Sequence, residues 1–150
     1  MAWYFCDTSA LARRYIRSEP AARRVVEICR AASGHVVAVA RITPVEIAST
    51  FARYRRDGAL DEATSRRYWR LFQRHFRDQY EIVEVDHRII EDASALLFRH
   101  PLRAYDAVQL ACALEVRVAA GLAADFRFCT ADRRQAAAAA DEGLAVELIG

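Results

Sequence analysis

The sequence predicts an α/β fold: a single three-layer α/β/α domain in which helices cover both faces of a central five-stranded, mostly parallel sheet. Three observations predict it. Five short apolar or alternating runs are separated by stretches of helical periodicity, as parallel strands joined by crossovers require. Two of the runs, Trp3–Cys6 and Val36–Ala40, are apolar throughout, which suits strands covered on both faces. The 150 residues contain no internal repeat and no Pro/Gly/Ser-rich linker, so residues 1–150 are expected to share one core.

Taken in order, Trp3–Cys6 is the first strand, and Asp7-Thr8-Ser9 behind it reads as a helix cap. Leu11–Ile16 and Ala21–Ala32 read as helices, broken at Ser18-Glu19-Pro20. Val36–Ala40, after Ser33-Gly34, is the second strand. Thr43–Arg56 is a helix that stops at Asp57-Gly58, and Asp61 caps a long helix through about Arg77. Tyr80–Val85 alternates as the third strand, and Asp86 opens a helix to about Arg99. Arg103–Ala120 is helical and closed by Gly121. Phe126–Thr130 is the fourth strand, Asp132–Glu142 a helix stopped by Gly143, and Leu144–Ile149 the last strand. The alanine run 136–140 favours helix over linker.

Composition excludes several classes. Apolar residues make up 54% of the chain and charged residues 28%, the balance of a globular protein and not of a disordered one. Arg, Asp or Glu interrupts every apolar run before the roughly 18 residues of a membrane span. The first strand begins almost at Met1 with no basic segment before it, so no secretory signal is expected and the expected compartment is the cytoplasm. Cys6, Cys29, Cys112 and Cys129 have no paired spacing and lie in apolar stretches, where they read as small buried hydrophobes. His35, His75, His87 and His100 show neither metal-ligand spacing nor a Ser or Cys nucleophile to serve. The net charge is only +2, but every positive residue is Arg, whose planar fork suits phosphate and carboxylate.

The acidic residues carry the chemistry. In open α/β sheets the reactive crevice lies beyond the carboxyl ends of the strands. Asp7 follows the first strand, Asp132 follows the fourth, and Glu46 and Asp106 stand at helix starts. Each has a bland reading: Asp7 and Asp132 as N-caps, Glu46 as the third residue of a Thr43-Pro44-Val45-Glu46 capping box, Asp106 as a charge favoured by the helix dipole. Four acids at the starts of four helices nevertheless converge if those helices begin on one rim. At about 4 Å each like-charged pair costs roughly 4 kcal/mol. Protonation or a cation relieves that cost, and hard oxygen ligands favour Mg²⁺ or Mn²⁺, which can activate water and neutralise a phosphodiester's developing charge. Asp125 precedes the fourth strand and belongs to the opposite rim, while Asp86 is explained as a cap.

Four segments, WYFCDTSALARRY, TPVEIAST, RAYDAVQLACAL and FCTADRRQAAAA, together resemble the PIN-domain family, in particular its VapC-type toxins. The resemblance spans essentially the whole chain. It implies a five-stranded parallel sheet with the fourth strand beside the first, and Mg²⁺- or Mn²⁺-dependent RNA cleavage. The family's acidic positions fall on Asp7, Glu46, Asp106 and Asp132, and its supporting hydroxyls on Ser9 and Thr130. It also implies a small antitoxin protein as partner and a homodimer. A PIN nuclease of RNA maturation or decay and a catalytically silent binding module are the alternatives; the second is expected to lack one of the acids, and none is missing. A haloacid-dehalogenase-type phosphatase needs a second Asp at position 9, which is Ser9.

Arg103, Arg133 and Arg134 neighbour Asp106 and Asp132 and are candidates for RNA phosphate contact, ahead of Arg13 and Arg14. Arg66, Arg70 and Arg74 form a stripe that fits a solvated helix face as well as RNA or a partner. Tyr68, Trp69, Phe72 and Phe76 on the same helix read mainly as core, with a protein-binding groove second.

Overall fold

A computed structural model describes residues 1–150. Five parallel strands form one sheet in the order β3-β2-β1-β4-β5. They are β1 (Trp3–Cys6), β2 (Val36–Ala40), β3 (Glu81–Val83), β4 (Phe126–Thr130) and β5 (Val146–Leu148). The helices are α1 (Thr8–Leu11), α2 (Ala22–Cys29), α3 (Thr43–Arg56), α4 (Glu62–Asp78), α5 (His87–Arg99), α6 (Ala104–Ala120) and α7 (Arg133–Asp141). The three-layer expectation is met, with β4 beside β1.

Alternation along the central strand divides the core in two. Tyr4 and Cys6 face one side with Leu11, Val25, Ile28, Ile47, Phe51 and Phe72, so α1 to α4 cover that face. Phe5 faces the other with Ile89, Leu96, Leu110 and Phe128, beneath α5, α6 and α7. Phe5 and Phe128 stack at 5.9 Å between ring centroids, locking β1 to β4. The four cysteines are free and buried, as small hydrophobes would be. No helix is long and apolar enough to cross a membrane.

Four expected elements come out shorter, among them Ala21–Ala32, where α2 ends at Cys29 because Arg30 turns extended and a separate 3₁₀ turn covers Ala31–Ser33. β3 covers only Glu81–Val83 of the expected Tyr80–Val85, and β5 only Val146–Leu148 of Leu144–Ile149. Both are edge strands, and at their carboxyl ends pairing stops with the last residues of β2 and β4, Ala40 and Thr130. The expected helix Leu11–Ile16 is instead α1 followed by a 3₁₀ turn over Ala12–Arg14, because the helix starts earlier, at the Asp7 cap. Strand order reverses between β1 and β4, since β2 and β3 extend to one side and β5 to the other. A crevice opens at such a switch point beyond the carboxyl ends of the strands.

Candidate metal centre

Asp7 is the residue immediately beyond β1, in extended backbone, and its Oδ1 accepts from Ala10 N at 3.1 Å. The N-cap reading accounts for that bond but not for the rest. Ser9 Oγ donates to Oδ1 at 2.7 Å, and Thr130 Oγ1, at the end of β4, donates to Oδ2 at 2.5 Å. The hydroxyls accept in turn from backbone, Ser9 from Ala131 N at 2.9 Å and Thr130 from Asp132 N at 3.1 Å. Each therefore has its single proton to spend on the carboxylate. Asp7 is only 3% exposed, and burial pushes its carboxyl up to about 6. The Thr130, Ser9 and Ala10 bonds oppose that rise, and Asp106 adds to it.

Glu46 departs from the expected capping box. The N-cap of α3 is Ile42, with no side-chain cap bond, and Thr43 is already helical and fully buried. The Thr43 hydroxyl faces Gln109 Nε2 at 3.2 Å, and the same nitrogen donates to Glu46 Oε1 at 2.7 Å. The tertiary partner has displaced the local one, and Glu46 turns toward the cleft. Burial raises its carboxyl above the ordinary value, Gln109 and Thr8 hold it back, and Asp106 raises it again.

Asp106 lies in the first turn of α6, where burial and then the charge of Asp132 raise its carboxyl against the pull of Arg103. Asp132 caps α7, accepting from Arg134 N at 2.8 Å and Gln135 N at 3.3 Å, both through Oδ1. Gln135 Nε2 donates to the Asp106 carbonyl at 2.8 Å, which fixes the start of α6 against α7.

All four acids line one cleft of about 610 Å³ at the switch point, and none enters an ion pair. No three acidic, His or Cys side chains are gathered tightly enough to hold an ion unaided. The four acids thus share the cleft without forming a ready-made site for one ion. Uncompensated like charges favour separation. The donor set still fits Mg²⁺ or Mn²⁺: every donor is a carboxylate oxygen, and ions of this kind keep several waters while one or two carboxylates bind directly.

Arg103 lines the cleft, whereas Arg133 and Arg134 are exposed in the first turn of α7 and do not. Arg13 and Arg53 line it in their place. Asp86 caps α5 through Ile89 N at 3.0 Å, and Asp125 pairs with Arg127 at 3.5 Å at the start of β4, so neither enters the site. Sequence reasoning missed Gln109 and Arg53. A Gln inside the fully buried stretch Ala107–Ala113 was a usable signal, because a buried amide must find partners. Arg53, one of three Arg in the last turn of its helix, carried none.

A family profile described as PIN domain matches residues 4–141. No curated protein matches the sequence. Several solved structures share the fold. A structure described as VapBC2 from Rickettsia felis bound to a DNA fragment from their promoter aligns over 99% of this chain and 99% of the other, with TM-score 0.66 and 10% identity. PAE2754 from Pyrobaculum aerophilum aligns over 97% and 83%, with TM-score 0.65 and 17% identity. FitAcB from Neisseria gonorrhoeae aligns over 95% of each chain, with TM-score 0.56 and 15% identity.

Proposed function

The chain belongs to the PIN-domain family, and from that premise we propose that it is a divalent-metal-dependent endoribonuclease of the cytoplasm, the toxin of a type II toxin–antitoxin pair. The observation that carries the reading is a cleft at the β1/β4 switch point lined by four carboxylates, none of them held in an ion pair. Such a cluster is costly when empty and suited to a hard cation.

Asp7 is the fixed member, held by Thr130 and Ser9 so that its orientation survives the approach of substrate. Asp132 presents Oδ2 while Oδ1 stays with the helix, and Gln109 steadies Glu46 across from them. When bound, Mg²⁺ or Mn²⁺ supplies charge neutralisation at the phosphodiester and a lower pKa for the attacking water. Arg13, Arg53 and Arg103 line the same cleft and would orient the phosphate backbone by forked hydrogen bonds.

Two of the similar structures are described by paired names, VapBC2 and FitAcB, which supports a small antitoxin as partner here. Its peptide would cover the acidic cleft. A homodimer is part of the same reading.

The test is cleavage of RNA by the purified chain with Mn²⁺ and with a chelator, beside Asp7→Asn and Asp132→Asn. Metal-dependent cutting lost in both variants is expected; a parent inert at millimolar Mn²⁺ overturns the assignment. Expression alone should arrest growth, with rescue by Asp7→Asn or by a co-expressed neighbouring small protein. Harmless expression of an active enzyme would replace the toxin with a nuclease of RNA maturation.

A further inference from the structure

On α4, five Arg at positions 66, 67, 70, 74 and 77 are accompanied by only two acids, Glu62 and Asp78, at the helix's opposite ends. All five are exposed. Arg66 pairs with Glu62 and Arg77 with Asp78, but Arg67, Arg70 and Arg74 enter no ion pair. The chain does match Arg with carboxylates elsewhere, as at Arg24 with Glu147, Arg41 with Glu84 and Arg99 with Glu142. Between Glu62 and Asp78 it places none, although Glu on this face would favour the helix.

Arg67, Arg70, Arg74 and Arg77 succeed one another at three- and four-residue steps, so their guanidinium groups share a face and repel. They line a depression of about 690 Å³ with Tyr68 and Leu71 between them, and this depression shares no residue with the acidic cleft. The Arg67 guanidinium lies 5.8 Å from the Tyr68 ring, and that ring packs on Phe51 of α3 at 6.1 Å. Arg67 to Arg77 spans about 15 Å of helix axis. A nucleic-acid strand of helical rise places roughly four phosphates along that length.

We propose that this face of α4 is a second RNA-binding surface, a track for the phosphate backbone of single-stranded RNA outside the cleft. It rests on the ribonuclease reading for its choice of polyanion. Guanidinium forks match phosphate oxygens in pairs, and a half-buried tyrosine beside them offers a ring for a base. An acidic peptide fits less well, because only two of the seven lining residues are apolar and a bound segment would find little to bury.

The experiment is fluorescence anisotropy with a labelled oligouridylate of about 12 nucleotides, using the full chain in chelator so that nothing is cut, across a salt series. Arg67→Gln/Arg70→Gln/Arg74→Gln should weaken binding about tenfold or more and flatten the log–log salt slope by about 2, near 0.7 per lost phosphate contact. Arg23→Gln/Arg41→Gln/Arg127→Gln removes the same charge elsewhere and should leave the slope near that of the parent. Circular dichroism checks that the α4 variant keeps its helix. Equal slopes in the two triple variants overturn the track, as does stronger competition from oligoglutamate or duplex DNA than from unlabelled RNA of equal charge. Mn²⁺-dependent cleavage by the parent is scored separately. Cleavage with unchanged slopes refutes the track alone; a lost slope without any cleavage refutes the ribonuclease reading and leaves the track.

Discussion

Gln109 Nε2 lies 2.7 Å from Glu46 Oε1, joining the interior of α6 to the first turn of α3 across 63 residues of sequence. The same nitrogen faces Thr8 Oγ1 at 3.3 Å and Thr43 Oγ1 at 3.2 Å, while Gln109 Oε1 has no protein partner. Gln109 is therefore a positioning residue for Glu46.

Glu46→Gln keeps an acceptor for Gln109, so stability should change by less than about 1 kcal/mol. Metal-dependent cleavage should nonetheless fall at least tenfold. Gln109→Leu removes the donor from a half-buried carboxylate and leaves the hydroxyls of Thr8 and Thr43 without it, and should cost about 1–3 kcal/mol. On cleavage the two changes should be far from additive in a double-mutant cycle. Parent-like turnover in Glu46→Gln would return Glu46 to a structural role.

Stability should depend on pH through Asp7. Its carboxyl is raised from 3.8 to about 6, so the folded chain binds that proton more tightly than the unfolded chain. The Asp7 contribution is favourable to protonation below about pH 4, is lost as pH rises through about 6, and is level above. The metal-free parent should thus lose on the order of 2–3 kcal/mol across that window, a loss Asp7→Asn largely removes. Denaturant titrations from pH 4.5 to 7.5 compare them, and parallel curves would refute the assignment to Asp7.

Thr130→Val deletes the strongest influence holding the Asp7 carboxyl down. The Asp7 titration, followed by carboxyl NMR, should move further upward, and cleavage at neutral pH should drop. Thr130→Ser should restore both. A titration unmoved by Val would mean that Thr130 does not hold Asp7 in solution.

A divalent ion that binds only the folded chain should stabilise it by about 2.7 kcal/mol at a hundredfold excess over Kd. For a chain of this length that is a rise in Tm on the order of 5–10 °C. Mn²⁺ is the sharper probe. The rise should shrink in Asp7→Asn and Asp106→Asn, and both should melt above the metal-free parent because repulsion is relieved. A flat Mn²⁺ titration would count against the metal centre.

β1, β2, β4 and α3 were legible in the sequence to the residue, because central strands and a long amphipathic helix declare themselves locally. Edge-strand lengths were not, since β2 and β4 decide where β3 and β5 stop pairing. That four acids would line one cleft was legible because each follows a strand or opens a helix. The Glu46 capping box failed because a bond to Gln109 arises only once α3 and α6 meet. Arg133 and Arg134 followed from proximity in sequence to Asp132, which says nothing about the direction in which helix residues project.

The Thr130–Asp7 bond spans 123 residues. It depends on β4 docking beside β1, so the site is completed only after most of the chain has been synthesised. An enzyme whose proposed substrate is RNA is thus built so that its nascent form, still on the ribosome and surrounded by message and ribosomal RNA, lacks the last wall of its own cleft. Competence arrives with release: arrested chains ending before Phe126 should be unable to cut RNA, and on the proposed reading the interval between synthesis and folding becomes time in which an antitoxin can reach the chain first.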